Sequence, residues 1–283
     1  MARNSGVAVA LLAATFLSAC QTGGGAGFAN NSIPDTPVGS SVNIGSLTDV
    51  VNSNPSDPGA YNVRGIAYAE AGRTRDALND FGRAIDLDPL FYQAYANRGL
   101  VLRNAGRLEE ALADYNTALS VNPAYAVAYS GRGTLYVSLG RPDLALVDFD
   151  RAISLDAADA RSYYNRGLIY QSQGQQELAI ADFTRAISFQ SRAPEPYFSR
   201  GEVYLVRANF DAAYDDFFQT ITLGISTAVT WTNLGLALEG QGDYETALTA
   251  FRNALNIDPN FAGAVSGAAR MAAMIPPATT AGL

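Results

Sequence analysis

The chain has 283 residues, 48% of them apolar and 16% charged, with a net charge of −8 at pH 7. That composition supports a packed core and excludes a disordered chain, and the acidic balance excludes a nucleic-acid backbone as the expected partner. All 19 basic residues are arginine, so the chain has no imidazole for acid/base or metal chemistry and no lysine amine for a Schiff base.

Taken in order, the chain opens with Arg3 and an apolar run from Gly6 to Phe16, too short for a permanent membrane span. Leu17-Ser18-Ala19-Cys20 follows and contains the one cysteine. This LSAC resembles a bacterial lipobox, which implies a signal peptide over 1–19, cleavage before Cys20 and lipidation of its thiol. The plainer alternative is an ordinary signal peptide whose small residues precede a chance cysteine. Each buried acyl methylene adds about 0.8 kcal/mol of membrane affinity, so several chains would anchor the protein durably. Gln21 after the cysteine, by resemblance to Gram-negative lipoproteins, implies the outer membrane. Residues 20–45, with GGGAG, Pro34, Pro37 and Gly39, are expected to form a flexible tether. Ser46 then opens a short helix with Leu47, Val50 and Val51 as packing residues, read as a half-repeat over 46–57.

From Pro58 onward the chain repeats. Gly65, Gly99, Gly133, Gly167, Gly201 and Gly235 recur at a step of 34 residues without insertion or deletion, as do Ala77 and Phe81 with their counterparts. Such a period marks a solenoid. The units are 58–91, 92–125, 126–159, 160–193, 194–227 and 228–261. Each first helix carries an aromatic at position four (Tyr61, Tyr95, Tyr129, Tyr163, Tyr197, Trp231), the glycine at eight and an apolar or tyrosine side chain at eleven. These share one helical face. The interior glycine, costing about 1 kcal/mol against alanine, implies close approach of a neighbouring helix, with the position-twenty alanine as the matching surface. Gly72, Gly106, Gly140, Gly174 and Gly242 are expected to end first helices in left-handed caps, with Ala208 standing in the fifth repeat. Pro89, Pro123 and Pro259 follow second helices; Ala157, Ser191 and Ile225 in their place predict looser junctions.

The aromatic, Gly, Tyr, Ala, aromatic, Ala and Pro pattern over 58–261 resembles the tetratricopeptide repeat (TPR) family. The resemblance implies an all-α fold: a right-handed α-solenoid of six helix pairs, with first helices lining a concave groove. It also implies a scaffold for peptides or partner proteins. One feature departs from the family pattern. Position seven holds Arg64, Arg98, Arg132, Arg166 and Arg200, and position twenty-three holds Asp80, Asp114, Asp148, Asp182 and Asp216. In the sixth repeat both are lost together, to Leu234 and Ala250. The joint change predicts a structural Arg–Asp ladder; the alternative is a solvated charge row contributing about 0–1 kcal/mol per pair. Residues 262–275 are expected to form a capping helix using Val265, Ala268, Ala269 and Ala272, with 276–283 a tail.

Positions two, five, nine and twelve form a second stripe, roughly 100° from the packing face. In the third to fifth repeats it comprises Val127, Val137, Tyr164, Leu168, Gln171, Phe198, Glu202 and Leu205, the candidate partner-binding residues. Tyr164 and Phe198 are expected side by side as partner anchors, or half-buried as packing between helices. The groove also offers Asn62, Asn97, Asn165, Asn233, Arg103 and Arg161 but no lysine, so a chaperone-type carboxylate clamp is not expected. No catalytic residue, metal or cofactor is expected. The expected role is a non-catalytic adaptor on the periplasmic face of the outer membrane, anchored only through its N-terminal lipid, holding protein or peptide partners in the groove. Its partners would be envelope proteins such as peptidoglycan hydrolases or proteases, and homodimerisation is compatible with the pattern. The alternative is an assembly factor for outer-membrane proteins, pili or secretion; a carboxylate-based cell-wall hydrolase ranks third.

Overall fold

The computed structural model describes residues 41–275. The signal peptide, Cys20, residues 21–40 of the tether and the tail from 276 lie outside them. The described residues fold into fourteen helices and no strand. α1 (Ser41–Ser53) precedes six helix pairs: α2 (Pro58–Glu70) with α3 (Thr74–Leu87), α4 (Tyr92–Asn104) with α5 (Leu108–Val121), α6 (Ala126–Ser138) with α7 (Pro142–Leu155), α8 (Ala160–Ser172) with α9 (Gln176–Phe189), α10 (Pro194–Val206) with α11 (Phe210–Thr222), and α12 (Ala228–Gln241) with α13 (Tyr244–Ile257). α14 (Ala262–Met274) closes the array.

Helix limits follow from local chemistry. The Asp57, Asp159, Asn209, Thr227 and Asp243 side chains accept backbone N–H bonds at helix starts, and Pro58 occupies the first turn, where it needs no donor. First helices end in one geometry. Gly72, Gly106, Gly140, Gly174 and Gly242 have φ between 68° and 83°, and Ala208 adopts φ 55°. The next residue then donates back to the position-eleven carbonyl, as in Arg73 N to Tyr68 O at 2.8 Å and Asn209 N to Tyr204 O at 2.9 Å. Ala208 therefore holds a left-handed conformation that an L side chain disfavours.

Between repeats, the carboxylate or amide of Asp88, Asn122, Asp156 and Asp258 accepts the N–H two residues on at 2.9–3.0 Å. The third junction, with Ala157 in place of proline, thus keeps the same turn: Asp156 has φ −136° and ψ 95°, against −137° and 95° at Asp88. The fourth junction, with Gln190 and Ser191, keeps a similar backbone (φ −134°, ψ 73°) with neither proline nor that side-chain acceptor. The fifth junction alone among the described ones changes form, with Gly224 at φ 104°.

Each helix packs on the next, and first helices also touch the first helices of neighbouring repeats, α2 on α4 through α12 on α14. Second helices of neighbouring repeats make no comparable approach. The array therefore curves with its first helices inside, which places their second stripe on the inner face.

The core differs from the expected one in a consistent way. The fully buried rings are those of position twenty-four: Phe81, Tyr115, Phe149, Phe183, Phe217 and Phe251. Each lies over the position-eight glycine of its own repeat; a Cβ on Gly65, Gly133 or Gly235 would come within 2.7–2.8 Å of the ring. The ring, not the position-twenty alanine, is what the glycine admits. Position-four aromatics are only half-buried; Trp231 donates its indole N–H to Ser226 Oγ at 2.9 Å. The five tyrosines serve instead as flanks for the arginines.

All five Arg–Asp pairs are bidentate, with Nε and Nη2 on the two carboxylate oxygens at 2.7–2.8 Å. Tyrosines at positions four and eleven flank the guanidinium in four of the five, as at Arg132 between Tyr129 (5.6 Å) and Tyr136 (5.8 Å), whereas Arg98 has Tyr95 alone, with Leu102 at position eleven. The remaining nitrogen reaches the preceding second helix: Arg132 Nη1 to Asn116 (2.7 Å), Arg166 Nη1 to Asp150 (2.6 Å) and Arg200 Nη1 to Thr184 (2.9 Å). All five rungs tie a repeat internally, and those of Arg132, Arg166 and Arg200 also tie it to its neighbour. The bonded carboxylate raises the guanidinium pKa above its ordinary value at Arg64, Arg98, Arg132 and Arg166.

The two end helices pack through other residues than expected. α1 begins at Ser41, inside the expected tether, because Ile44, Leu47, Thr48 and Val51 form a continuous face; Ile44 and Val51 are buried, whereas Val50 is exposed. Its stripe is led by Ile44, one residue before a glycine that reads as linker. On α14, Ala264, Gly267 and Met271 are buried, while Val265, Ala269 and Ala272 face out. Gly267 occupies the register of position six in a following repeat and leaves room for the Phe251 ring, which a Cβ there would meet at 2.4 Å. α14 therefore covers α13 as the first helix of another repeat would.

Candidate functional site: the inner groove

The inner face is built from one stripe of α2, α4, α6, α8, α10 and α12. Of the eight candidate binding residues, Val127 and Val137 on α6 are open, at 57% and 45% exposure. Tyr164, Leu168, Gln171, Phe198, Glu202 and Leu205 are all half-buried. The two aromatics stand on core rings: Tyr164 on Phe183 at 5.9 Å between centroids and Phe198 on Phe217 at 5.8 Å. Their rings are thus wedges between first and second helices that present one edge to the groove.

Most polar groove residues are engaged with each other across neighbouring first helices. Asn97 Nδ2 donates to Asn62 Oδ1 at 3.0 Å, Ser162 Oγ to Ser130 Oγ at 2.9 Å, Asn165 Nδ2 to Thr134 Oγ1 at 3.3 Å and Gln171 Nε2 to Glu202 Oε2 at 3.4 Å. Three of the asparagines singled out from the sequence, Asn62, Asn97 and Asn165, therefore zip repeats together. Burial raises the Glu202 carboxyl above the usual carboxylate range, and the Gln171 bond only partly offsets this. At the far end, Arg270 of α14 makes a bidentate bond to Glu239 of α12 at 2.7–2.8 Å.

Sequence reasoning missed two features. Tyr115 is the one tyrosine among the six position-twenty-four rings, and it runs from Gly99 to Gly131 on the next first helix. A Cβ at Gly131 would meet the Tyr115 hydroxyl at 2.7 Å. Burial pushes that hydroxyl up to about 12, while the Arg103 and Arg161 charges act to lower it. The signal was present as two single-copy changes, Tyr for Phe at 115 and Gly at 131. The second feature is Gln93, whose buried Oε1 has no hydrogen-bond partner among the described residues.

Family comparison finds the tetratricopeptide repeat at residues 52–127, 160–192 and 228–261, and a TPR repeat at 133–174, together more than half of the chain. No curated protein matches the chain. Among solved structures, a chain of the APC/C hetero-tetramer Cut9-Hcn1 is similar with TM-score 0.68 and 21% identity over 82% of this chain and 46% of that one, so this chain spans less than half its length. The Pseudomonas aeruginosa pilF structure has TM-score 0.69 and 18% identity, over 75% of this chain and 97% of that one. YrrB, a TPR protein with an unusual peptide-binding site, has TM-score 0.58 and 25% identity, over 66% of this chain and 96% of that one. Likeness to the first two establishes the fold alone.

Proposed function

The chain belongs to the tetratricopeptide repeat family, and from that premise we propose that it is a non-catalytic scaffold that holds an extended or helical segment of a partner protein in its inner groove. The observation that carries this is the pair of open valines, Val127 and Val137, on the inner helix of a curved array whose other groove residues are braced from behind. An apolar floor with fixed walls binds a segment without first having to order itself. The peptide-binding site named for YrrB is in keeping with this use of the fold.

In the fuller reading, lipid on Cys20 anchors the scaffold to the outer membrane facing the periplasm, and its clients are peptidoglycan hydrolases or the proteases that control them. Support for the anchor is the LSAC sequence, and support for the role is the combination of anchor, tether and groove. Affinity capture from detergent-solubilised envelope tests it. Clients should be captured by the wild-type chain and lost from Val127→Arg/Val137→Arg, with unchanged helicity. Hydrolases or proteases among them would uphold the fuller reading, whereas pilus, secretion or outer-membrane assembly proteins alone would replace it with an assembly role. Cys20→Ser should move the protein from the membrane to the soluble fraction; retention in the membrane would refute the anchor.

A further inference from the structure

Both ends of the array expose apolar helix faces that every complete repeat covers. α14 stands on α13 as the first helix of a seventh repeat, with Gly267 at position six against the Phe251 ring. In the six complete repeats position eight faces the repeat's own second helix, and all six glycines there are buried. Among the described residues α14 has no second helix. Val265, Ala269 and Ala272, at its positions four, eight and eleven, are exposed, Val265 by 47%. The one charged residue of α14, Arg270, is turned to Glu239 of α12. A solenoid end ordinarily turns a polar face outward, and this one does not.

The other end lacks the opposite half. α1 joins α2 as a second helix joins the next first helix: Asn54 N–H donates to Val50 O at 3.0 Å, as Asp88 N–H does to Ala84 O at 2.9 Å. α1 is thus a second helix with no first helix among the described residues. Val50, at position twenty-seven, is 50% exposed, whereas its six counterparts from Ala84 to Ala254 are fully buried. Leu47, at position twenty-four, is half-buried where the six rings are buried. Inside the array, position six reaches the preceding first helix, as Asn97 does to Asn62 and Asn165 to Thr134. At this end position six is Val63, which is exposed. The residues one step earlier, 24–36, carry three glycines and Pro34, a composition that disfavours a first helix.

We propose that α14 of one copy packs against α1 and the start of α2 of a second copy, so that the two molecules complete a repeat between them. Three matches carry this, and each follows a rule kept inside the chain. At positions eight and twenty-four the six repeats set glycine against a ring; the shared repeat sets Ala269 against Leu47, a larger residue facing a smaller one. At positions seven and twenty-three it sets Ala268 against Ser46, so no charge is buried alone, as in the sixth repeat with Leu234 and Ala250. The exposed valines of both ends, Val50 and Val63 on one side and Val265 on the other, leave water together. The contact joins two different surfaces, so copies add end to end and no symmetric dimer closes it. Because α14 adjoins α12 as first helices adjoin one another, the inner groove runs on from copy to copy.

The test is capture of one tagged copy of the full chain by a differently tagged copy after detergent solubilisation. Val50→Glu disables the α1 end and Ala269→Glu the α14 end; both residues are exposed in the single copy, so helicity should not change. Wild-type copies are expected to capture each other. Capture should fall at least about tenfold between two Val50→Glu copies, and likewise between two Ala269→Glu copies, because each contact then forces a carboxylate into an apolar seam. Val50→Glu mixed with Ala269→Glu should restore it, since that pair keeps one intact α14 and one intact α1. Val63→Glu and Val265→Glu stand in for either variant that does not fold. Absence of capture between wild-type copies, or failure of the mixed pair, would overturn the contact. Undiminished capture between Val50→Glu copies would overturn it in favour of α14 against α14, and between Ala269→Glu copies in favour of α1 against α1. Capture between copies carrying both substitutions would overturn it by placing the contact elsewhere. The groove reading is tested separately, through Val127 and Val137.

Discussion

The first five repeats and the sixth solve the same contact in opposite ways. In the first five, positions seven and twenty-three bury an arginine–aspartate pair beside the position-four tyrosine. In the sixth, Leu234 and Ala250 fill those positions, both buried, and the neighbouring position of the fifth repeat becomes the exposed Phe218 in place of a polar acceptor. The contact thus tolerates two charges or none. The physical reason is that a paired charge recovers its desolvation cost and an apolar pair never incurs it, whereas a single buried charge does neither.

Breaking one rung is therefore the largest expected effect. Arg132→Leu leaves Asp148, 3% exposed, without its cation and should destabilise the array by about 3–5 kcal/mol. Arg132→Leu/Asp148→Ala, which imitates the sixth repeat, should recover most of that loss in denaturant melts. An additive double variant would show that the rung is not a unit. Next comes the fifth repeat's odd cap: Ala208→Gly should stabilise by about 1 kcal/mol by relieving φ 55°. No gain would mean the backbone relaxes without cost.

The smallest effect is pH-dependent and lies in the groove. The folded-state pKa of Glu202 is raised by burial, so its protonated form favours folding; that contribution is present below the unfolded value and lost as pH rises through the folded one. Glu202→Gln should accordingly raise Tm near pH 7 and give little change near pH 3. A variant that lowers Tm at pH 7 would show that the Gln171 bond outweighs burial.

Much of this was legible in the sequence. Gly72 and its counterparts announce the ends of first helices, and the joint loss of Arg and Asp in the sixth repeat exposes their pairing, because one chain samples the same environment six times. Where a residue occurs once, that comparison fails. Ile44 hides beside a linker-like glycine, and Tyr164 and Phe198 look like free anchors until their rings are found standing on Phe183 and Phe217.

By itself, then, the sequence determined the period, the helix limits, the caps and the rungs, all of which depend on residues a few turns apart and recur at each step. Tertiary structure alone decided which ring lies over each glycine, and that Tyr164 and Phe198 stand on the core rings of Phe183 and Phe217. Those outcomes depend on distances between separate helices, which packing sets and which no local pattern encodes.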